Sequence, residues 1–225
     1  VKLAIIADVH SNLHALEAIS KAIEDSAPDM IVCAGDIVGY GAFPNECCEE
    51  VNKLADHTVQ GNHDVSALTG DTAWMNPYAA AASNWTSHEM STRTRSFLGS
   101  LKTEERFEIP NLKATMCHGS PTSVEEYVYE EDSSETMLSV ARCDLLILGH
   151  THIPFVKRFP SGLIVNPGSV GQPRDRDPRA SYALLDSESL RCTVHRVDYD
   201  IEAASDAILS AGLPTLLADR LFMGM

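Results

Sequence analysis

Two short apolar runs, KLAIIAD (residues 2–8) and DMIVCAGD (29–36), each stop on a carboxylate. An apolar run without polar alternation is what a strand buried on both faces requires, and this points to a parallel sheet covered by helices. The intervening segment fits. NLHALEAISKAIEDS (12–26) sets Leu13, Leu16, Ile19 and Ile23 at helical spacing, with Ser11 or Asn12 as N-cap and Pro28 closing the helix. PNECCEEVNKLA (44–55) reads as a second helix and HTVQG (57–61) as a third strand. A βαβαβ opening implies parallel strands joined by right-handed crossovers.

The rest of the chain is organised differently. Residues 76–103 read as helical, and then RFEI, KATMCHG, DLLILGH, FVKRF, LIVNPG, SYALLD and CTVHRVD follow as short strands with few helices between them. Seven strands after an α/β opening predict a second sheet packed on the first with helices outside. IEAASDAILSAGL would cover one face. With 225 residues, and without a linker, repeat or low-complexity stretch, a single domain spanning 1–225 is expected.

Composition excludes several classes of function. The 32 acidic residues against 17 basic ones give a net charge of −15, which argues against neutralising duplex nucleic acid over a broad basic face. No apolar run approaches the roughly 18–20 residues that span a bilayer. VKLAIIADVH carries an apolar stretch of only about five residues with no small-residue cleavage site, a poor secretion signal. None of the six cysteines forms a CxxC pair, so a reducing, cytoplasmic setting is expected.

The polar residues at the strand ends carry the chemistry. Asp8 and His10 follow the first strand and Asp36 the second; Asn62, His63 and Asp64 follow the third. His118 ends KATMC, and His150 and His152 follow DLLILG. In open α/β sheets, ligands gather beyond the carboxyl ends of strands. In extended backbone His150 and His152 would point the same way and chelate together. Carboxylate, imidazole and amide oxygen suit divalent Mn, Fe, Zn, Co or Ni, with Mn favoured, and two such ions can clamp a phosphoryl group. Asp36 is the best candidate to bridge them, because an anion between two cations lowers their repulsion.

Asp8-Val-His10, Gly35-Asp36, Gly61-Asn62-His63-Asp64, His118-Gly119 and Gly149-His150-Thr151-His152 together resemble the five-block pattern of calcineurin-like metallophosphoesterases. The resemblance implies an α/β/β/α sandwich of two sheets. It implies one ion on Asp8, His10, Asp36 and His152, and a second on Asp36, Asn62, His118 and His150. It also implies that His63 is a catalytic imidazole rather than a ligand and that Asp64 orients it. No Arg follows the second block (GDIVGYG, with Tyr40), unlike protein phosphatases and symmetrical dinucleoside tetraphosphatases. VNPGSVGQPRDRDPRASYALLD (165–186) is closer to a small bacterial and archaeal phosphodiesterase-like group that includes the retromer scaffold subunit.

The expected activity is hydrolysis of small phosphoesters by metal-activated hydroxide, with phosphodiesters or nucleotides favoured; the alternative is a non-catalytic metal-binding interaction scaffold. Three features remain open in sequence. Arg174, Arg176 and Arg179 could contact phosphate but fit a salt-bridged surface loop better. Gly168 and Ser169 fit a structural turn better than a phosphate cradle. The acidic stretch 125–135 reads most simply as a solvated loop or helix start, with closure over the site as a lid the open alternative. His14, His57, His88 and His195 read as packing or surface residues.

Overall fold

The computed structural model describes residues 1–225. Strands β1 (Lys2–Ile6), β2 (Met30–Cys33) and β3 (His57–Thr58) alternate with helices α1 (Leu13–Ser26) and α2 (Pro44–Leu54). Helices α3 (Asn62–Thr69), α4 (Pro77–Glu89) and α5 (Thr92–Ser100) follow. Then come β4 (Glu104–Ile109), β5 (Leu112–Cys117), α6 (Glu135–Ala141), β6 (Leu145–Ile147), β7 (Phe155–Phe159) and β8 (Gly162–Asn166). The chain finishes with β9 (Ala180–Asp186), β10 (Arg191–Val197), α7 (Ile201–Ser210) and α8 (Thr215–Met223).

These elements form two mixed five-stranded sheets, ordered β10-β9-β1-β2-β3 and β4-β5-β6-β8-β7. The βαβαβ prediction holds: β1, β2 and β3 pair in parallel, as do β5, β6 and β8. Antiparallel strands close three of the four edges, at β10, β4 and β7, and the parallel β3 forms the fourth. Strand alternation explains the layering. Leu3 and Ile5 of β1 join Met116, Leu145, Ile147 and Val165 in the core between the sheets. Ala4 and Ile6 face the other way, against Leu16, Ile19 and Ile23 of α1 and Val51 of α2. On the opposite outer face, Leu146 and Ile164 pack on Leu138 and Ala141 of α6. Each large aliphatic side chain fully buried here contributes about 1.5–3 kcal/mol. The result is the expected α/β/β/α sandwich.

Three local features go beyond the sequence reading. Residues 76–103 form two helices, because Ser91 caps a new one: its hydroxyl accepts from Thr94 N–H at 3.1 Å, and the extended Met90 and Ser91 break the run. Asn62 to Asp64, which follow the third strand, open α3, with Gly61 as N-cap. The sequence reading stopped short of α8. That helix packs Leu217 and Leu221 with Ala204 and Ile208 of α7 and Ala79 and Ala82 of α4. All six cysteines are free, and no helix is long and apolar enough to cross a membrane.

Candidate metal centre

The strand ends converge as the sequence predicts. Asp8, His10, Asp36, Asn62, His63, Asp64, His118, His150 and His152 are all at most 5% exposed. Backbone geometry brings them there at a cost. Asp8, His10, Asp36, His150 and His152 account for five of the twelve non-glycine residues with positive φ. Each such conformation stores on the order of 1 kcal/mol, and strain of this kind concentrates at functional sites.

Two groups of ligand atoms result, Asp8/His10/His152 and Asp36/His118/His150. The expectation that His150 and His152 chelate side by side is therefore corrected. The chain leaves the sheet after Ile147, and both residues are left-handed (φ 68° and 60°) rather than extended. They part into different groups, in the division that the resemblance implies.

Hydrogen bonds fix the ring nitrogens. Nδ1 of His10 donates to the Val38 carbonyl (3.1 Å), that of His118 to Ala34 (2.7 Å) and that of His152 to Gln172 (2.5 Å). A nitrogen that donates to a carbonyl carries the proton, so in the neutral ring Nε2 is left as a bare lone pair. Nε2 of His10 and Nε2 of His152 lie 3.0 Å apart, an unfavourable meeting of lone pairs unless a cation or proton sits between them. Oδ1 of Asn62 is buried without a hydrogen-bond partner. Asp36 Oδ2 reaches towards both groups, 3.6 Å from His10 Nε2 and 3.2 Å from His118 Nε2. Its Oδ1 accepts from the His63 backbone N–H at 2.8 Å. This donor set fits divalent cations of the borderline class.

Electrostatics agree with a cluster assembled to hold positive charge. Burial pushes the Asp8 carboxyl up to about 8. Burial also opposes ionisation of Asp36, but His118, His63 and His10 outweigh it and hold that carboxyl well below its ordinary range. His118 is pushed up to about 10: burial disfavours its charged form, and the Asp36 carboxylate overrides that. Burial keeps His10 and His152 neutral, and brings His63 down to about 4 and His150 to about 3.

His63 lies beside both groups, its ring 4.9 Å from that of His10 and 4.5 Å from that of Tyr40. Its Nδ1 is buried and unpaired. Asp64, which the resemblance makes the orienter of His63, makes no hydrogen bond to its ring. Its Oδ1 accepts from the N–H groups of Ile37 and Val38 (2.9 and 3.0 Å) and its Oδ2 from Gly61 (2.9 Å). The carboxylate thus ties the loop after β2 to the start of α3. What lies against His63 Nδ1 is Gly39, at φ +96°, where an added Cβ would come within 2.7 Å of that nitrogen.

The arginine loop divides. Arg179 pairs with Asp177 at 2.7 Å, and Asp175 is held by Arg196, the salt-bridged surface expected. Arg176 stays exposed. Arg174 instead turns inward: its Nη2 donates to Tyr40 Oη (3.2 Å) and Gln172 Oε1 (3.1 Å), and its Nε is unpaired. The sequence carries no signal for this, since Arg174 and Arg179 stand in similar Asp-rich surroundings. The 167–169 turn is structural, with Gly168 N–H on Asn166 Oδ1 and Ser169 Oγ donating to the Asp8 carbonyl. Of the acidic stretch, Glu125 accepts from His150 Nε2 at 3.1 Å, and the Tyr127 ring lies 3.9 Å from that of His150. His57 stacks on Phe107 and His195 on Tyr182, away from the centre.

Comparison with known proteins follows the same line. Residues 1–190 match the profile of the calcineurin-like phosphoesterase superfamily domain. The chain is 37% identical to the uncharacterized protein MJ0912 of Methanocaldococcus jannaschii, over 99% of this chain and 98% of that one. It is 36% identical to a metallophosphoesterase from Sphaerobacter thermophilus, whose crystal structure superposes with a TM-score of 0.85 over 100% and 99% of the two chains. Phosphodiesterase YfcE of Escherichia coli is 24% identical over 84% of this chain and 90% of its own length.

Proposed function

The chain belongs to the calcineurin-like phosphoesterase superfamily, and from that premise we propose that it hydrolyses small phosphoesters with two divalent ions. The observation that carries this reading is the meeting of His10 Nε2 and His152 Nε2 at 3.0 Å beside the buried, unpaired Asn62 Oδ1. One ion would be held by Asp8, His10, Asp36 and His152, the other by Asp36, Asn62, His118 and His150. Such ions, when bound, polarise phosphoryl oxygens and supply a nucleophile at neutral pH.

The chain's own residues account for the rest. His63 is neutral at pH 7 because burial lowers it to about 4. A phosphate anion arriving beside it raises its proton affinity, so it can hydrogen-bond the transferring group and pass a proton to the leaving oxygen. Asp64 positions His63 at one remove, by fixing the backbone on both sides of the ring. Arg174 adds a permanent cation within reach of Tyr40. The relative named as a phosphodiesterase favours diesters, and the acidic balance disfavours duplex nucleic acid. Six free thiols favour a cytoplasmic setting.

Purified protein with Mn should hydrolyse bis(p-nitrophenyl) phosphate, and EDTA should abolish turnover. His63→Ala should cut turnover by roughly 10²- to 10⁴-fold while elemental analysis still finds both ions. A non-catalytic scaffold has no use for an unpaired buried imidazole there, and predicts that His63→Ala changes nothing. No turnover with Mn, Fe, Co, Ni or Zn would overturn the proposal.

A further inference from the structure

The centre opens into a cleft of about 360 Å³ whose lining includes His63, His150, Trp74, Tyr127, Asn76 and Glu125. That volume falls in the range of small-molecule sites, roughly 300–1,000 Å³. Two large aromatics stand at its rim with much of their surface in solvent, Trp74 at 42% and Tyr127 at 48% exposed. Each adjoins an imidazole of the centre: Trp74 is edge-on to His63 at 6.3 Å, and Tyr127 lies against His150 at 3.9 Å. Tyr129 extends the platform, nearly parallel to Tyr127 at 6.3 Å with 12° between the ring planes.

Exposed aromatics cost solvation unless something flat covers them, and a π-face stacks on any nucleobase. The same rim carries groups to meet a base edge. Asn76 Oδ1 is engaged by Tyr78 and Ala79 N–H as the cap of α4, which leaves its amide N–H₂ as donor, while the exposed Glu125 carboxylate is an acceptor. A lipid chain would find neither a deep apolar channel nor a use for these polar groups. We infer that the cleft holds the base of a nucleoside phosphoester, stacked on Trp74 and Tyr127, with its phosphate at His63 and His150. This rests on the phosphoesterase reading of the same centre, and names its substrate class.

The test compares two diesters that differ only in the base, adenosine 5′-(methyl phosphate) and ribose 5-(methyl phosphate). The adenosine ester should show a KM at least about tenfold lower, the scale of one base–aromatic stack. Trp74→Ala should erase most of that preference, and Trp74→Phe should restore it. Binding is read separately in metal-loaded protein carrying His63→Ala and Trp85→Phe, which leaves Trp74 as the one tryptophan. Adenosine 5′-monophosphate should quench its fluorescence about tenfold more tightly than ribose 5-phosphate. Equal KM values for the two esters, or a preference that survives Trp74→Ala, would overturn the inference. If neither ester nor bis(p-nitrophenyl) phosphate turns over while the quenching preference persists, the base site stands and the hydrolytic reading fails.

Discussion

The two ligand groups are built from similar side chains but anchored in different ground. In the Asp8/His10/His152 group, both imidazoles are oriented by carbonyls of Val38 and Gln172, residues at most 1% exposed. In the Asp36/His118/His150 group, only His118 has such an anchor, on the buried Ala34. His150 leans on the carbonyl of the exposed Glu125 and on the ring of the half-exposed Tyr127. A metal-binding imidazole is only as well oriented as the partner of its other nitrogen. The first group is therefore pre-organised by the sandwich, and the second is completed by surface chain, on the side where the aromatic cleft opens.

The strongest way to break that asymmetry is to remove what the two groups share. Asp36 faces both through Oδ2 and holds the start of α3 through Oδ1. Asp36→Asn should lower the content of both ions and cut turnover by roughly 10³-fold or more, the several kcal/mol that metal electrostatics supply. Full occupancy of both sites in the variant, measured by elemental analysis, would remove Asp36 from the bridging position.

A gentler change should separate the groups. Tyr127→Ala takes away the ring packed on His150 and leaves the surroundings of His10 and His152 intact. Affinity for one ion should fall about 10- to 100-fold, the usual cost of losing a supporting contact, and the other should hold. In the unaltered protein a graded chelator should accordingly remove the ions in two steps. Simultaneous loss of both, in variant and parent alike, would show that the anchoring difference has no energetic consequence.

How much of this was legible in sequence follows from the physics of each feature. Strand burial is written in composition, so KLAIIAD and DMIVCAGD could be placed, and with them the carboxylates at their ends. The resemblance supplied the division of His150 from His152, but the residues themselves pointed the wrong way. Periodicity assumes extended backbone, whereas φ values of 68° and 60° depend on contacts made elsewhere, such as His150 N–H on Asp8. Asp64 illustrates the same limit: adjacency to His63 looked like a pair, yet on a helix start its carboxylate turns back to backbone donors. Gly39 against His63 Nδ1 and Arg174 beneath Tyr40 are encounters between distant segments, which no local pattern announces.

Protons provide the finest test of the comparison, because each group stores one differently. Without ions, Asp8 is pushed up to about 8 by burial, so at pH 7 it is largely protonated. His118 is pushed up to about 10 because Asp36 outweighs burial, so it too carries a proton. Ions bind only the deprotonated forms, so loading at pH 7 should release protons from both groups. The sign follows: affinity weakens as pH falls, by up to about tenfold per pH unit for each proton displaced. The windows should differ. Affinity of the Asp8 group should level off above about pH 8, whereas that of the His118 group should keep rising towards pH 10. Calorimetric titrations in buffers of different ionisation enthalpy, repeated across this range, count the protons directly. Loading without proton release at pH 7 would mean that the ionised Asp8 and neutral His118 are already present in the metal-free chain, and that both groups, not one, stand ready-made.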